Sequence, residues 1–418
     1  MATDGTHIQA MSSMFRDRDG QSYLVPFILV TSLFFLWGVA HSILDVLNKH
    51  FQDVLVISKA RSGLVQAMVY GGYFLMALPA GRIIRKWGYR TGIVTGLLLY
   101  GVGALMFIPG GKIMSFPFFL LCLFIIGCGL TCLETSANPY MTVLGERDSA
   151  ARRLNLAQSF NGLGWIVGPL AGGLLILGDD SNLSLPYAVI GAVVIVMGLV
   201  FSRIKLPSPE SDSDLHNEGE GHPGRNGKSI WSVRSFRYGV PALLLYVAAQ
   251  TGINSFFINY VTESAPISAQ TAALMLSFGG MGLFMTGRLL GSALMRKIRP
   301  ATMMTACSIG AVACMAVTIL SNGTYGIAAL CLTYLFESIM FPTIFSMSLS
   351  GLHGEQTKTA SSFLIMSIVG GAIAPVLMGL MGEARMSVGF ILPLACFIAI
   401  AAYSMLYDNL NKKLDYEQ

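Results

Sequence analysis

The chain has 418 residues, of which 54% are hydrophobic and only 12% charged. Ordinary soluble domains carry roughly a quarter charged residues, so this composition excludes a water-solvated globular protein and points to solvation by lipid. The formal net charge of +5 carries little meaning until it is divided by side of the membrane.

Residues 1–22 are polar and hold no cleavable signal. The apolar run that opens at Leu24 is too long for a signal-peptide core and is expected to stay as a membrane helix. A helix needs ~20 apolar residues to cross ~30 Å of hydrocarbon. Apolar runs at 24–48, 63–84, 91–109, 116–144, 154–177 and 184–204 give six spans in the first half. Runs at 238–261, 269–295, 301–320, 326–352, 361–381 and 388–407 give six in the second. With the amino terminus inside, 22 of the 27 basic residues fall on the cytoplasmic side. Five fall outside: Lys49, Lys59, Arg61, Lys112 and Arg385. That asymmetry follows the positive-inside rule with both termini cytoplasmic. The expected divisions are a tail at 1–22, a six-helix half at 23–206, a linker at 207–235, a second half at 236–408 and a tail at 409–418.

The first span places Trp37, His41 and Asp45 four residues apart, on one helix face. An aromatic ring, an imidazole and a carboxylate in line suit a sugar, the ring against C–H faces and the polar groups on hydroxyls. The alternative is that His41 and Asp45 bond each other near the wet end of the helix. Ser42 stands beside them. Between spans two and three lies a short basic turn carrying Gly81, Arg82, Arg85, Lys86, Gly88 and Arg90, and its glycines permit a tight reversal. The fourth span holds Glu134, Thr135, Ser136, Asn138 and Pro139 inside an apolar run. An ionisable group in lipid costs about 2.5–3.5 kcal/mol even on lenient scales, so Glu134 and Asp45 are functional candidates, with proton handling the natural role. A carboxyl kept protonated to bond a neighbouring helix is the alternative.

Asn155, Gln158 and Asn161 recur every third residue in the fifth span. Amides offer donors and an acceptor without charge, which suits a neutral polyol; tying one helix to another is the competing role. The stretch 207–235 is rich in Ser, Asp, Glu, Gly and Pro and cannot bury enough apolar surface to fold alone, apart from a short amphipathic piece near Trp231. In the seventh span Tyr246, Gln250 and Asn254 form a polar face, and the tenth carries Glu337, Phe341 and Pro342. The seven cysteines lie in apolar runs without metal-binding spacing, and the scattered histidines form no nucleophile–base or metal set, so an enzyme is not expected. Only His41 falls within the expected spans.

The basic turn resembles the signature loop of the major facilitator superfamily, although the usual acidic residue is absent. A worn copy follows Gly287 and Arg288 in the second half. Glu134 and Pro139 recur as Glu337 and Pro342; Trp37, His41 and Asp45 recur as Tyr246, Gln250 and Asn254. Matched spacings at nearly one offset indicate a duplicated six-span unit, the parallel repeat of that fold.

The runs around Glu134–Pro139, Arg153–Gln158, Phe341–Ser346 and Phe34–Asp45 resemble the fucose–galactose–glucose:proton symporters of that superfamily. The resemblance implies an all-α membrane protein of the major facilitator fold, twelve helices in two pseudo-symmetric halves around a central cavity, working by alternating access. It implies that Asp45 and Glu134 couple proton to sugar and that Asn161 lies in the sugar cavity. Trp37, His41, Ser42, Asn138, Gln158, Tyr246, Gln250, Asn254, Glu337 and Phe341 are the further binding candidates, and Gly81, Arg85, Gly88 and Arg90 the conformational loop. The chain departs from the family's fucose carriers at His41, Ser42, Phe341 and Glu337, which leaves the sugar open. No cofactor beyond the proton and no metal is expected, with sodium the rival coupling ion. The expected partners are a neutral sugar and the lipid bilayer, not nucleic acid, with the chain a monomer in a bacterial inner membrane. A drug exporter or a sugar sensor of the same superfamily is the alternative.

Overall fold

The structure, a computed structural model, describes residues 23–144, 150–177, 184–204, 229–295, 297–321, 323–350, 352, 360 and 363–412. Twelve long helical segments follow in chain order. The first half holds α1 (Leu24–Leu55), α2 (Lys59–Ile84), α3 (Lys86–Ile113), α4 (Phe116–Val143), α5 (Ala150–Leu175) and α6 (Ser184–Arg203). The second holds α7 (Arg234–Ser264), α8 (Ala269–Gly291), α9 (Pro300–Leu320), α10 (Thr324–Leu349), α11 (Phe363–Met381) and α12 (Met386–Tyr407). Helices are what such apolar runs must form, since lipid offers no partner for a free peptide group. Eleven are long and apolar enough to cross a membrane. The other is α5, whose first turns carry two arginines and the three amides of the polar ridge.

Within the first half α1 packs along α5, and α4 along α2 and α3; within the second, α7 packs on α10, α11 and α12, and α9 on α10 and α12. Small residues set the closest crossings, as expected where lipid supplies no hydrophobic drive between helices. At the α1–α5 crossing a Cβ on Gly38 would stand 3.1 Å from the Gly164 Cα, and one on Gly164 would stand 2.8 Å from the Val39 nitrogen.

Several helices extend beyond the expected apolar runs, and three differences bear on the site. Helix α1 runs past residue 48 to Leu55, so His50 lies within it too, buried beside Phe51. Polar residues at this end bond across the molecule: the Asn48 amide N–H donates to the Ser255 carbonyl at 2.5 Å, and Gln52 pairs with Asn259, while Asn48 Oδ1 has no partner. Helix α7 starts at Arg234, ahead of the boundary expected at 236. A short 3-10 turn, Ile230–Ser232, precedes it and seats Trp231 against Phe236 and Phe363. The rest of the linker and both expected tails lie largely outside the described residues. The third difference is a break inside α10, between Glu337 and Met340.

The bonds joining the halves gather between the midplane and the outer face. Besides Asn48–Ser255 and Gln52–Asn259, Thr251 donates to the Tyr70 hydroxyl at 3.4 Å and Ser277 to the Ile166 carbonyl at 2.5 Å. Lys59 pairs with Glu263 at the rim. Toward the cytoplasm, α4 packs on α1, α2, α3 and α5 of its own half, and the last part of α10 on α7 and α9 of its own. Burial follows the same gradient. Asp45, Asn254, Ser255 and Asn259 are buried, whereas Glu134, Asn138, Gln158, Gln250 and Phe341 are partly open. Among the described residues the halves are thus joined on the outer side and not on the cytoplasmic side, an inward-open arrangement.

Candidate functional site

Helix α2 supplies the side chains around which the first-half candidates are arranged. Gln66, Tyr70 and Tyr73 fall at i, i+4 and i+7 and share one face. Asp45 is 1% exposed; its Oδ1 accepts from Gln66 Nε2 at 2.9 Å, and its Oδ2 has no hydrogen-bond partner. His41, one turn toward the cytoplasm, does not take Asp45 as its partner. Its Nε2 lies 2.9 Å from the Tyr73 hydroxyl, and its ring sits among four aromatics. Trp165 of α5 lies nearly parallel at 5.9 Å, with Tyr73 at 5.5 Å, Tyr70 at 6.0 Å and Trp37 at 6.1 Å.

Glu134 of α4 faces the Tyr73 hydroxyl. Tyr70 lies within electrostatic reach of both Asp45 and Glu134. The Tyr70 hydroxyl accepts from Thr251 of the opposite half. The structure brings Trp37, His41, Asp45 and Glu134 together around α2.

The other first-half candidates take different places. The Ser42 hydroxyl is fully buried and donates to the backbone carbonyls of Gly38 and Gly164, at 2.9 and 3.2 Å, so it serves the α1–α5 crossing. Asn161 Nδ2 donates to the Phe34 carbonyl at 3.0 Å, which ties α5 to α1. Gln158 Nε2 donates to Asn138 Oδ1 at 3.3 Å, joining α5 to α4 on the cytoplasmic side. The side chains of Asn155 and Pro139 lie outside the described residues.

In the second half the break in α10 organises the site. Pro342 has no N–H to offer the Ser338 carbonyl one turn back, and Arg288 Nε of α8 donates to that carbonyl instead, at 3.5 Å. The Tyr246 hydroxyl donates to the Glu337 carbonyl at 3.1 Å. Both carbonyls at the break therefore have side-chain donors. The Tyr246 ring lies 6.1 Å from Phe341, which stacks on Phe345. Gln250 is half-buried; Asn254 is buried and its Oδ1 has no partner. Helix α8 contributes a π-helical stretch, Met275–Met281, a local widening often found at functional sites. Its Gly280 lies against the Tyr334 ring.

In the basic turn, Gly88 takes φ +80°, a left-handed conformation that breaks the helical run between α2 and α3. Arg90 donates to the carbonyls of Phe201, at 3.0 Å, and Ser202. It thereby caps the end of α6 within its own half. Gly81 has open space around its Cα, and the Arg85 side chain lies outside the described residues.

Gln66, Tyr70, Tyr73, Trp165, Tyr334 and Arg288 are the site residues that sequence reasoning passed over. The α2 stripe was visible in its spacing, whereas Arg288 read only as part of the worn copy of the basic turn near the end of the eighth span. Together the groups provide aromatic faces, uncharged donors and acceptors, and carboxyls at midplane depth, a combination suited to a polar but neutral solute.

Residues 26–375 match the family model described as the Major Facilitator Superfamily. The chain belongs to that superfamily. It is 36% identical to the L-fucose-proton symporter of Escherichia coli, over 96% of this chain and 97% of that one. It is 33% identical to a glucose/galactose transporter of Brucella abortus, over 90% and 92%. A crystal structure of the superfamily transporter FucP in the outward conformation, 36% identical, covers 93% of this chain and 99% of its own, with a TM-score of 0.65.

Proposed function

We propose that this transporter imports a neutral monosaccharide of the hexose or deoxyhexose class together with a proton, across the inner membrane of a bacterial cell. The observation that carries this is the aromatic cluster of Trp37, His41, Tyr73 and Trp165 with the two acids beside it, Asp45 held by Gln66 and Glu134 facing the Tyr73 hydroxyl. The likeness to a fucose-proton symporter and to glucose/galactose transporters supports the substrate class.

The cycle alternates between an outward-open form and the inward-open form described above. Outside, the acids take up protons and the neutral cavity accepts sugar. Inside, Glu134 is partly exposed while Asp45 stays buried with Gln66, which lets release proceed from the Glu134 end. A charge moving through ~100 mV gains about 2.3 kcal/mol, enough for roughly fifty-fold accumulation of a neutral solute. Amides, tyrosines and stacked rings outnumber exposed charge in the site, which favours a sugar over a bulky apolar drug.

The test is the external pH of a weakly buffered, sodium-free suspension of de-energised cells expressing the protein, challenged with single hexoses, deoxyhexoses and pentoses. Alkalinisation on adding one sugar, lost in Glu134→Gln, is the expected outcome. Uptake of labelled sugar only when sodium is present would transfer the coupling to sodium, and silence in both conditions would overturn import.

A further inference from the structure

Glu337 is a carboxyl that a two-acid coupling scheme leaves without a role. Its side chain is 0% exposed, and neither carboxyl oxygen has a hydrogen-bond partner. The groups around it come from every packed element. Helix α7 brings Tyr246, whose hydroxyl is engaged with the Glu337 backbone carbonyl, and α8 brings Arg288, whose Nε is engaged with the Ser338 carbonyl. Helix α9 contains no charged residue. The acid's own helix contributes Tyr334. The Tyr334 hydroxyl is likewise without a partner and lies within electrostatic reach of both Glu337 and Asp45.

An ionised carboxylate so placed loses its hydration with no compensating bond, a penalty of several kcal/mol for a real protein site. The protonated acid avoids most of it, so the inward-open form holds Glu337 neutral. The surroundings are also the irregular parts of the second half. The acid closes the first segment of α10, directly before the break at Ser338 and Ile339, and Tyr334 packs against the π stretch of α8. Broken helices at the midplane are where transporters of this kind place their ion and substrate groups. Tyr334 also packs edge-on against Phe257 of α7, so the acid's surroundings join three helices of the second half.

We propose that Glu337 is a third proton carrier of the transport cycle, seated in the second half at the break in α10. It occupies the place in the repeat that Glu134 occupies in the first half, 203 residues earlier. The two acids are in opposite situations in the same conformation: Glu134 is partly open, Glu337 sealed. No covalent step is involved; a proton joins the carboxylate when water reaches it and leaves to water when the break is next exposed.

The inference rests on the symport reading for one of its two tests. The first needs no sugar. Purified protein in lipid vesicles is examined by infrared difference spectroscopy for the carbonyl stretch of protonated carboxylic acids, in wild type, Glu337→Gln and Glu337→Asp. The expected result at neutral pH is a component of the protonated-acid band that is lost in Glu337→Gln and moves in frequency in Glu337→Asp. An identical band in wild type and Glu337→Gln overturns the proposal. Should Glu337→Gln fail to fold, the band in Glu337→Asp decides, and an unshifted one overturns it. The second test counts protons taken up per sugar in the same vesicles: Glu337→Gln is expected to carry one fewer, and an equal count overturns the carrier role. A wild type that moves no sugar overturns the symport reading and the carrier role with it. Protonation of Glu337 is judged separately by the infrared band.

Discussion

Lys59, at the outer start of α2, reaches across the molecule to Glu263 at the outer end of α7, with 2.7 Å between Nζ and Oε1. The same ammonium donates to the carbonyls of Gly382 and Glu383, at 2.8 and 3.0 Å. In return the Glu383 carboxylate accepts from the backbone N–H groups of Lys59 and Ala60, both at 3.3 Å, where a helix N-terminus favours negative charge. Glu263 uses its second oxygen to accept from the Met386 N–H at 2.8 Å, at the start of α12. One lysine and two glutamates thus fasten α2 to α7, α11 and α12, and every inter-half bond among these breaks in an outward-open form.

Lys59→Ala is expected to shift the balance toward outward-open. A partly exposed ion pair is worth about 1 kcal/mol or less, and the two carbonyl bonds add a comparable amount. The shift should therefore be on the order of tenfold in the ratio of forms. The readout is modification of a Ser255→Cys reporter by a membrane-impermeant thiol reagent, since Ser255 is buried at the closed outer seam. Several-fold faster labelling is expected with Lys59→Ala, and an unchanged rate would remove Lys59 from the outer latch.

The latch rests on a backbone-to-backbone contact between α2 and α11. A Cβ on Gly379 would lie 2.6 Å from both the nitrogen and the Cα of Ala60, and one on Gly63 would lie 2.7 Å from the Val376 nitrogen. These are main-chain atoms, so no side chain can swing aside. Gly379→Leu is expected to prevent outer closure, abolishing net uptake while the Ser255→Cys reporter becomes permanently open to the reagent. Normal uptake by Gly379→Leu would show that the seam closes by another route.

Much of the site could be read from residue type and spacing, because a carboxylate inside an apolar run is costly and therefore conspicuous. Asp45, Glu134 and Glu337 are of this kind, and so is the duplication relating Glu134 to Glu337. Tyrosines and a glutamine give no such signal: Gln66, Tyr70 and Tyr73 resemble ordinary core, and only their common face on α2 distinguishes them. Proline was equally ambiguous. Pro139 and Pro342 hold matching places in the repeat, yet α4 continues to Val143 while α10 breaks. The break coincides with side-chain donors from other helices, Tyr246 and Arg288, which no local pattern shows. The conformation is not legible at all, since one sequence must serve both the closed and the open outer seam.

Asp45→Asn separates coupling from architecture. Asparagine keeps an oxygen to accept from Gln66, so the 2.9 Å bond survives, but the amide cannot give up a proton. Sugar counterflow between equal pH compartments should persist at a measurable rate, while accumulation driven by an imposed proton gradient should collapse toward an inside-to-outside ratio of about one. Full accumulation by Asp45→Asn, measured with labelled sugar in energised vesicles, would remove Asp45 from the coupling pair.

The break in α10 leads to a prediction about stability as well as rate. Pro342→Ala restores an N–H one turn after Ser338, so the carbonyl now held by Arg288 regains an intrahelical partner. Healing the helix should raise the thermal midpoint of the purified protein. It should also slow turnover, because the irregular segment beside Glu337 is replaced by a continuous one that resists rearrangement. Arg288→Met acts in the opposite sense. It leaves the Ser338 carbonyl without its donor, at a cost of about 1–3 kcal/mol, and should lower the midpoint. Introducing Pro342→Ala into Arg288→Met should recover most of that loss, since the carbonyl no longer needs the guanidinium. Strictly additive midpoints across the four proteins would show that Arg288 and Pro342 do not act on the same carbonyl.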